Sequence, residues 1–330
     1  MYTASDTRYD SMPYKAAGLS GLKLPLISLG LWQNFGQDAA KDSMRKILHF
    51  AFDAGITHFD LANNYGPPVG AAEKSFGEFL KSDFAPYRDE IIVSTKAGYP
   101  MWPGPYGNWG SKKYLLASLD QSLMRLGVDY VDIFYHHRPD PEAPMEETAE
   151  ALIQMLKQGK TLYIGLSNYT GPQTLAMSKI FRAQGYRILI NQPRYHMFDR
   201  WIEHDLKDIL MKEGIGTIAF SPLAQGLLSE KYINGIPADS RYGQRLANKE
   251  IKSVPFTDEQ IAKVKKLAQV AQGRGQTLPQ MALAWVLKMG NLTSVLVGVS
   301  NVDQLRDNLK ALDKLDFSEE ELQAIESILA

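Results

Sequence analysis

Short apolar or β-branched segments alternate with longer amphipathic segments along most of the 330-residue chain. The short segments are typical of buried strands, and the longer ones repeat their apolar residues with the period of a helix. The predicted strands are Leu26–Leu31, Ile56–Asp60, Ile91–Thr95, Tyr130–Tyr135, Tyr163–Leu166, Ile188–Asn191, Thr217–Phe220 and Ser294–Val297. Because strands alternate with helices, the pattern predicts βα units and a parallel sheet.

The predicted helices between the strands carry continuous apolar stripes. One stripe contains Met44, Ile47, Leu48, Ala51 and Phe52, another contains Leu115, Leu119, Leu123 and Leu126, and a third contains Val302, Leu305, Leu309 and Leu312. Eight strand–helix units without a domain-length linker predict an α/β fold, a single (β/α)8 TIM barrel over residues 13–330. Residues 1–12 are polar and carry both signs of charge, and we expect them to form a loose N-terminal tail.

Three segments depart from a minimal barrel. The glycine-containing segment Tyr14–Leu24 predicts an N-terminal β-hairpin before the first barrel strand, where it would close the bottom of the barrel. Residues 97–111 and 224–257 predict long loops after strands 3 and 7 of the barrel. Residues 318–329 predict a final helix, with Ser318 as its cap and Glu321 three positions further on.

Composition excludes several classes of protein. The chain has 36 basic and 37 acidic residues, so the balance of charge predicts no nucleic-acid partner. The absence of cysteine excludes disulfides and thiolate chemistry, and the six histidines show no metal-binding spacing, so we expect no metal site. No apolar segment is long enough to span a membrane, and the N-terminus lacks the apolar core of a secretory signal. We therefore expect a cytoplasmic protein without a membrane partner.

Ionisable residues stand at the ends of three consecutive predicted strands. Asp60 ends the second strand, Lys96 follows the third, and His136 and His137 follow the fourth. Taken singly, such an aspartate is typical of a helix cap and such a lysine of a solvated surface. Taken together they are better explained by the rim of a barrel, because active sites of such barrels lie at the carboxyl ends of the strands.

Tyr65 follows Asp60 by five residues and suggests a role for this group. A tyrosine hydroxyl has a reference pKa of about 10, and a nearby ammonium such as Lys96 would lower it. Asp60 would hold Lys96 charged, and a histidine would polarise a carbonyl oxygen beside the tyrosine. The arrangement suits protonation of a carbonyl as hydride arrives. His137 could take this role, and His136 is the competing histidine.

Eight motifs in order along the chain resemble the aldo-keto reductase superfamily. They are Gly30-x-Trp32, Phe59-Asp60-x4-Tyr65-Gly66, Ser94-Thr95-Lys96, Asp132-x4-His137-Arg138, Gly165-x-Ser167-Asn168, Asn191-Gln192, Ser221-Pro-Leu and Gly298-x-Ser300. The chain is most similar to the branch of bacterial L-glyceraldehyde 3-phosphate and methylglyoxal reductases and of voltage-gated potassium channel β subunits. Asn63-Asn-Tyr-Gly-Pro-Pro68, Ser221-Pro-Leu-Ala-Gln-Gly226 and Gly235-Ile-Pro237 carry this finer match.

The resemblance implies a catalytic tetrad in which Tyr65 is the general acid, Lys96 and Asp60 tune it, and His137 orients the carbonyl. It implies NADPH-dependent reduction of small aldehydes or α-oxoaldehydes. The alternative is an NADPH-binding regulatory subunit like the channel β subunits, but these carry asparagine at the position of His137. A barrel used only for assembly is a third class, which would leave the grouping of Asp60, Tyr65 and Lys96 unexplained. Relatives in this branch imply a homo-oligomer, a tetramer or an octamer.

The resemblance also implies the residues that hold NADPH or NADP+. Ser167, Asn168 and Gln192 would bind the nicotinamide carboxamide, and Tyr195 would stack on the ring. Residues Ser221, Pro222, Leu223, Ala224 and Gln225 would follow the pyrophosphate, Lys231, Arg241 and Ser300 the 2′-phosphate, and Gln304 and Asn308 the adenine. Leu31, Trp32, Asp60, Phe220 and Gly298 complete the set, with Asp307, which replaces a glutamate of that branch.

The substrate pocket is the least specific part of the sequence. Trp32, Trp102 and Tyr106 belong to loops on the predicted rim and would form apolar walls, as is usual for small-molecule sites. Arg138 would bind a substrate phosphate, although a salt bridge explains such an arginine about as well. The partner expected at this site is a small-molecule carbonyl compound.

Overall fold

The computed structural model describes residues 2–330, whose contacts divide the chain into two compact units. The first unit contains the chain up to Arg194 together with Trp201–Phe220 and Asn291–Leu305. The second unit contains Tyr195–Arg200, Ser221–Gly290 and Arg306–Ala330. The assignment of residues 13–330 to a single domain stays a prediction.

A closed barrel of parallel strands lies in the first unit. In chain order the strands are β1 Tyr14–Ala16, β2 Lys23–Pro25, β3 Ile27–Gly30, β4 His58–Asp60, β5 Ile92–Ala97, β6 Val131–His136, β7 Thr161–Ser167, β8 Ile190–Gln192, β9 Gly216–Phe220 and β10 Leu292–Val297. Strands β3 to β9 pair in sequence order, and β10 closes the barrel between β9 and β3. This confirms the predicted (β/α)8 TIM barrel and all eight of its strands.

The N-terminal hairpin predicted before the barrel is present. Strands β1 and β2 pair antiparallel, with Tyr14 opposite Pro25 and Ala16 opposite Lys23. Leu24 is fully buried in an apolar cluster that also contains Ile133 and Ile218 from β6 and β9. The hairpin therefore contributes side chains to the core that the barrel strands enclose.

Within residues 2–330 the structure has eleven α-helices. They are α1 Lys41–Asp53, α2 Ala71–Ser82, α3 Lys112–Leu126, α4 Met145–Lys157, α5 Gly171–Ala183, α6 Leu206–Glu213, α7 Arg241–Ala247, α8 Asp258–Gly273, α9 Leu278–Leu287, α10 Val302–Leu309 and α11 Glu319–Leu329. The apolar stripe of α1 is buried, and the predicted cap Ser318 accepts a hydrogen bond from the first turn of α11, as Ser111 and Thr170 do for α3 and α5. Among residues 2–330, the structure contains no helix with the length and apolarity needed to cross a membrane.

The second unit contains a helix that the sequence did not predict. Residues 224–257 were expected to form a loop, but α7 lies within them. Ser240 caps α7 by accepting a hydrogen bond from the Gly243 amide, and Tyr242 on α7 packs against Tyr232 and Phe256 at ring distances of 5.6 and 5.1 Å. The sequence of α7 is short and mostly polar, and its burial depends on one aromatic residue, Tyr242.

Residues 2–12 of the predicted loose tail make specific contacts, and Met1 lies outside the described residues. Tyr2 stacks on His49 at 3.8 Å between ring centroids and donates a 2.7 Å hydrogen bond to Asp53. Arg8 pairs with Glu90, and Met12 is buried. The sequence is misleading here because aromatic and amphipathic side chains bury their apolar parts while their polar tips find partners.

Candidate active site

Asp60 and Lys96 form a buried ion pair at the carboxyl ends of β4 and β5. Both side chains are fully buried and in direct contact, and the Lys96 ammonium also donates a 2.7 Å hydrogen bond to the carbonyl oxygen of Leu61. The other carboxylate oxygen of Asp60 accepts hydrogen bonds from the Ser94 hydroxyl at 2.7 Å and the Gln192 amide at 3.2 Å. Both oxygens of the Asp60 carboxylate therefore accept hydrogen bonds. Burial lowers the pKa of Lys96, and the charge of Asp60 raises it.

Tyr65 lies against this pair. Its hydroxyl is 3.4 Å from the Lys96 ammonium nitrogen, which lies 5.0 Å from the centroid of the ring. Burial raises the pKa of Tyr65 well above its usual value, and the charge of Asp60 raises it further. The sequence suggested a lowered pKa, but Asp60 offsets the charge of Lys96 and the phenol is desolvated. Tyr65 is therefore protonated at neutral pH and has a proton to donate.

His137 completes the group from the end of β6. Its ring centroid lies 6.0 Å from that of Tyr65, and Tyr99 packs edge-on against it at 4.7 Å. Burial lowers the pKa of His137 well below its usual value, and the charge of Lys96 lowers it further, so the imidazole is neutral. The competing histidine, His136, instead bonds to the Tyr169 hydroxyl at 2.6 Å.

Three amide and hydroxyl side chains stand at the ends of β7 and β8. The Ser167 hydroxyl donates to the Gln192 backbone carbonyl at 2.8 Å, and the Asn168 amide nitrogen donates to the backbone carbonyl of His137 at 3.0 Å. Asn168 has a positive φ of 59°, which an asparagine tolerates better than most residues. These two bonds orient the side chains of Ser167 and Asn168, and the bond to Asp60 orients the side chain of Gln192, in the same unit as the tetrad.

The remaining predicted cofactor residues of the first unit lie at the starts of loops. Leu31 is buried, and its amide donates a 2.9 Å hydrogen bond to the Asp60 carbonyl, while Gly298 follows β10 and is exposed. The Ser300 hydroxyl donates to the Gln304 side chain at 3.1 Å. Phe220 ends β9 and packs against the apolar core of the barrel.

In the second unit, Gln225 connects the predicted pyrophosphate segment with α7. Its backbone carbonyl accepts a 2.9 Å hydrogen bond from Arg241, and its side chain accepts one from Tyr242 at 3.0 Å. Residues 221, 224 and 225 of the predicted Ser221–Gln225 segment all have positive φ angles. Pro222 and Leu223 lie between them.

The other predicted cofactor residues of the second unit are Tyr195, Lys231, Asp307 and Asn308. Tyr195 is buried and stacks on Trp285 at 5.5 Å, and Lys231 is exposed. Asp307 accepts a 2.7 Å hydrogen bond from the Gln280 amide, and Asn308 is buried. The carboxylate of Asp307, which replaces a glutamate of the branch that the sequence resembles, is therefore bonded to Gln280 within the protein.

The residues predicted to line the substrate pocket are Trp32, Trp102, Tyr106 and Arg138. Trp32 is 46% exposed, and the centroid of its ring lies 6.3 Å from that of the Tyr65 ring. The Arg138 guanidinium lies between two aromatic rings, 3.5 Å from the centroid of Trp109 and 4.2 Å from that of Tyr99. Trp102 packs on Tyr114, and Tyr106 is exposed with Lys113 over its ring.

A buried carboxylate behind the tetrad was not predicted. Glu73 on α2 is fully buried and accepts hydrogen bonds from the Thr95 hydroxyl at 2.5 Å and from Arg125 at 2.6 Å. Thr95 precedes Lys96, and the charge of Glu73 raises the pKa of that lysine. Its signal in the sequence was weak, because an acidic residue in the first turn of a helix is common.

Comparison with known proteins bears on the identity of this site. A family model described as the aldo/keto reductase family matches residues 26–330. The chain is 53% identical over 333 residues to the L-glyceraldehyde 3-phosphate reductase of Escherichia coli (strain K12), covering 100% of this chain and 96% of that protein. It is 35% identical over 311 residues to a probable voltage-gated potassium channel subunit beta of Arabidopsis thaliana, covering 92% of each.

The family match covers the barrel, including every strand that positions Asp60, Tyr65, Lys96 and His137. The resemblance stated from the motifs is thereby confirmed at the level of the family and of its branch. Aldo/keto reductases generally use NAD(P)H. The chain therefore belongs to the aldo/keto reductase family and is an oxidoreductase.

Proposed function

We propose that the protein reduces L-glyceraldehyde 3-phosphate and related small α-oxoaldehydes such as methylglyoxal, with NADPH as the reductant and Tyr65 as the general acid. The observation that carries this proposal is the contact of the protonated Tyr65 hydroxyl with the buried Lys96–Asp60 pair. Proton donors of this kind lie within hydrogen-bond reach of the group they protonate.

The donor set fits a dinucleotide. Amide and hydroxyl groups on Ser167, Asn168 and Gln192 match the hydrogen-bonding needs of a carboxamide, and they are held in orientation by the bonds described above. Arg241 and Lys231 would hold a 2′-phosphate, because guanidinium and ammonium groups form strong charge-assisted bonds with phosphate. The reduced nicotinamide, when bound, supplies a hydride to the carbonyl carbon.

The residues of the tetrad would then act on the carbonyl oxygen. Tyr65 donates its proton to this oxygen as negative charge develops on it, and the phenolate that forms is stabilised by the adjacent Lys96 ammonium. His137, as a neutral imidazole, donates a hydrogen bond that orients the carbonyl. Asp60 keeps the ammonium in place. Among the hydrogen bonds of residues 2–330, none joins Asp60 directly to the Tyr65 hydroxyl.

Arg138 supports a phosphorylated substrate. Its guanidinium packs on Tyr99, whose ring packs on His137, so a fixed cation lies one aromatic ring away from the carbonyl-orienting histidine. Stacking between Tyr99 and Trp109 limits the rotation of the guanidinium and so reduces the entropic cost of binding an anion. The relatives from two Escherichia coli strains carry L-glyceraldehyde 3-phosphate reductase as their name, which agrees with such a substrate.

The test is oxidation of NADPH by the purified protein with three substrates: L-glyceraldehyde 3-phosphate, unphosphorylated L-glyceraldehyde and methylglyoxal. We expect turnover with all three, and a kcat/KM at least about tenfold higher for the phosphorylated aldehyde, since a charge-assisted contact contributes more than about 1.4 kcal/mol. Binding of NADPH without oxidation by any of these aldehydes would instead favour a regulatory subunit, the reading suggested by the channel relatives. Equal values for the two glyceraldehydes would remove Arg138 from the substrate site.

The remaining expectations from the resemblance stay predictions. They are a homo-oligomeric state, a tetramer or an octamer, and a location in the cytoplasm.

A further inference from the structure

A line of fully buried polar side chains crosses four neighbouring strands of the barrel and ends at Asp60. Ser294 on β10 contacts Ser28 on β3 at 2.7 Å between hydroxyl oxygens, and Ser28 contacts Nδ1 of His58 on β4 at 3.0 Å. Nε2 of His58 contacts the Ser94 hydroxyl on β5 at 2.9 Å, and Ser94 donates to Asp60. All of these side chains are 0% exposed, so these contacts form without solvent.

The carboxylate fixes the direction of every hydrogen bond in this chain. Paired with Lys96, Asp60 only accepts, so the single proton of the Ser94 hydroxyl is used at Asp60. The Ser94 oxygen can then only accept from His58, which requires a proton on Nε2. A neutral ring has only one such proton, so Nδ1 accepts from Ser28, and Ser28 in turn accepts from Ser294.

A neutral ring is what the surroundings of His58 favour. Burial lowers the pKa of His58 to about 4, with a smaller raising effect of Asp60 and a smaller lowering effect of Lys96. At neutral pH the chain therefore holds one uncharged histidine in a single tautomer, with each donor directed toward the carboxylate.

The chain cannot carry protons to or from solvent. Every member is fully buried, and the far end, the Ser294 hydroxyl, otherwise lies near the backbone carbonyls of Leu26 and Val295, at 3.3 and 3.5 Å. A path that ends at a backbone carbonyl has no acceptor that could release a proton. The chain can therefore act only by orienting and polarising Asp60.

We propose that His58 is a positioning residue for the reduction, whose Nε2–H donates to the Ser94 oxygen and so keeps the Ser94 hydroxyl on Asp60. The proposal rests on the function proposed above for Tyr65. With one oxygen of Asp60 held by Ser94 and Gln192, the other faces Lys96, and Lys96 in turn contacts Tyr65. Through Ser94 and Asp60, His58 thus sets the position of the Lys96 ammonium beside the Tyr65 hydroxyl.

The bond from His58 explains why a residue that does not touch Asp60 should affect turnover. Nε2–H of His58 donates to the Ser94 oxygen at 2.9 Å and holds this oxygen where its proton reaches the carboxylate. A leucine at position 58 removes this donor, and the Ser94 hydroxyl is then free to rotate away from Asp60. His58→Leu therefore weakens a hydrogen bond to the carboxylate without altering any side chain that touches Asp60.

The kinetic test compares three variants in the NADPH oxidation assay. We expect His58→Leu to lower kcat about tenfold, the value of one hydrogen bond to a charged group, while KM for the aldehyde changes less than about twofold. His58→Gln should recover most of the loss, because its amide can accept from Ser28 and donate to Ser94. Ser118→Ala, which removes a fully buried hydroxyl on α3, controls for the loss of a buried polar group and should retain wild-type kcat.

The second readout is independent of turnover. Nitrogen-15 NMR of the histidine rings, with His58→Gln identifying the His58 signals, should show the neutral Nε2–H form in the wild type from pH 5.5 to 8.5. Ser28→Ala should also show the Nε2–H form, because Asp60 still takes the proton of Ser94. An Nδ1–H or cationic His58 in the wild type, or a wild-type kcat in His58→Leu, would overturn the proposal. A protein that shows the expected tautomers but reduces no aldehyde would instead refute the function proposed for Tyr65.

Discussion

Asp60→Asn tests the electrostatic core of the site most sharply, because it removes one charge and almost no volume. In the wild type the Asp60 carboxylate faces the Lys96 ammonium, and both side chains are fully buried. Removing one partner of a buried ion pair typically costs about 3 to 5 kcal/mol, since the other charge is left without compensation. We expect a loss of about this size in the free energy of unfolding at pH 7, reduced where Lys96 gives up its proton.

The variant should also acquire a pH dependence of known sign. Burial lowers the pKa of Lys96 and Asp60 raises it, so the substitution lowers this pKa further in the folded state. The unfolded chain then binds the proton that the folded protein has lost, and stability rises with pH as far as the unfolded pKa of about 10.4. The slope can reach about 1.4 kcal/mol per pH unit, and it should exceed the wild-type slope between pH 7 and 9.

Urea denaturation followed by tryptophan fluorescence at pH 7, 8 and 9 measures this slope, and the five tryptophans supply the signal. Asp120→Asn is the matched control, because it removes the same charge from an ion pair with Lys160 whose aspartate is 52% exposed. We expect the control to cost less than about 1 kcal/mol and to add no slope. A slope in Asp60→Asn no steeper than that of the wild type would show that Lys96 does not depend on Asp60 for its charge.

Two further variants address the coenzyme and the buried carboxylate. Lys231→Ala and Arg241→Ala should each reduce the preference for NADPH over NADH by about tenfold or more, measured as the ratio of kcat/KM values, because each removes a charge-assisted contact to the 2′-phosphate; an unchanged ratio in both would exclude them from the phosphate site. Arg125→Met should lower the free energy of unfolding by about 3 kcal/mol, because it leaves the buried Glu73 carboxylate without its cation. This is the lower end of the range for buried ion pairs, since Arg125 is 22% exposed. Adding Glu73→Gln should restore more than half of that loss in urea denaturation, and no recovery would locate the defect elsewhere.

The barrel strands were predictable because parallel strands inside a barrel are buried on both faces. The apolar run Ile91–Thr95 corresponds to β5, Ile92–Ala97, which continues through Lys96 because this lysine is itself buried against Asp60. The grouping of Asp60, Lys96 and His137 followed from the same reasoning, since the carboxyl ends of parallel strands meet at one rim.

Other features depend on contacts that no local pattern reveals. Helix α7 is short and polar, and its burial rests on one side chain, Tyr242. The raised pKa of Tyr65 depends on how far the phenol is desolvated and on the neutralisation of Lys96, neither of which spacing can show. The hydrogen-bonded chain through His58 was also hidden, because a serine in a strand carries no mark of the neighbour its hydroxyl meets.

The central claim is that the Tyr65 hydroxyl supplies the proton, and the most direct measurement is the rate of NADPH oxidation by Tyr65→Phe with L-glyceraldehyde 3-phosphate. NADPH affinity is determined on the same sample by fluorescence titration. Loss of a general acid typically lowers the rate by about a hundred- to ten-thousand-fold, and we expect a fall of this size with NADPH affinity unchanged within about twofold. Wild-type turnover in Tyr65→Phe would contradict the assignment of the proton donor and with it the mechanism.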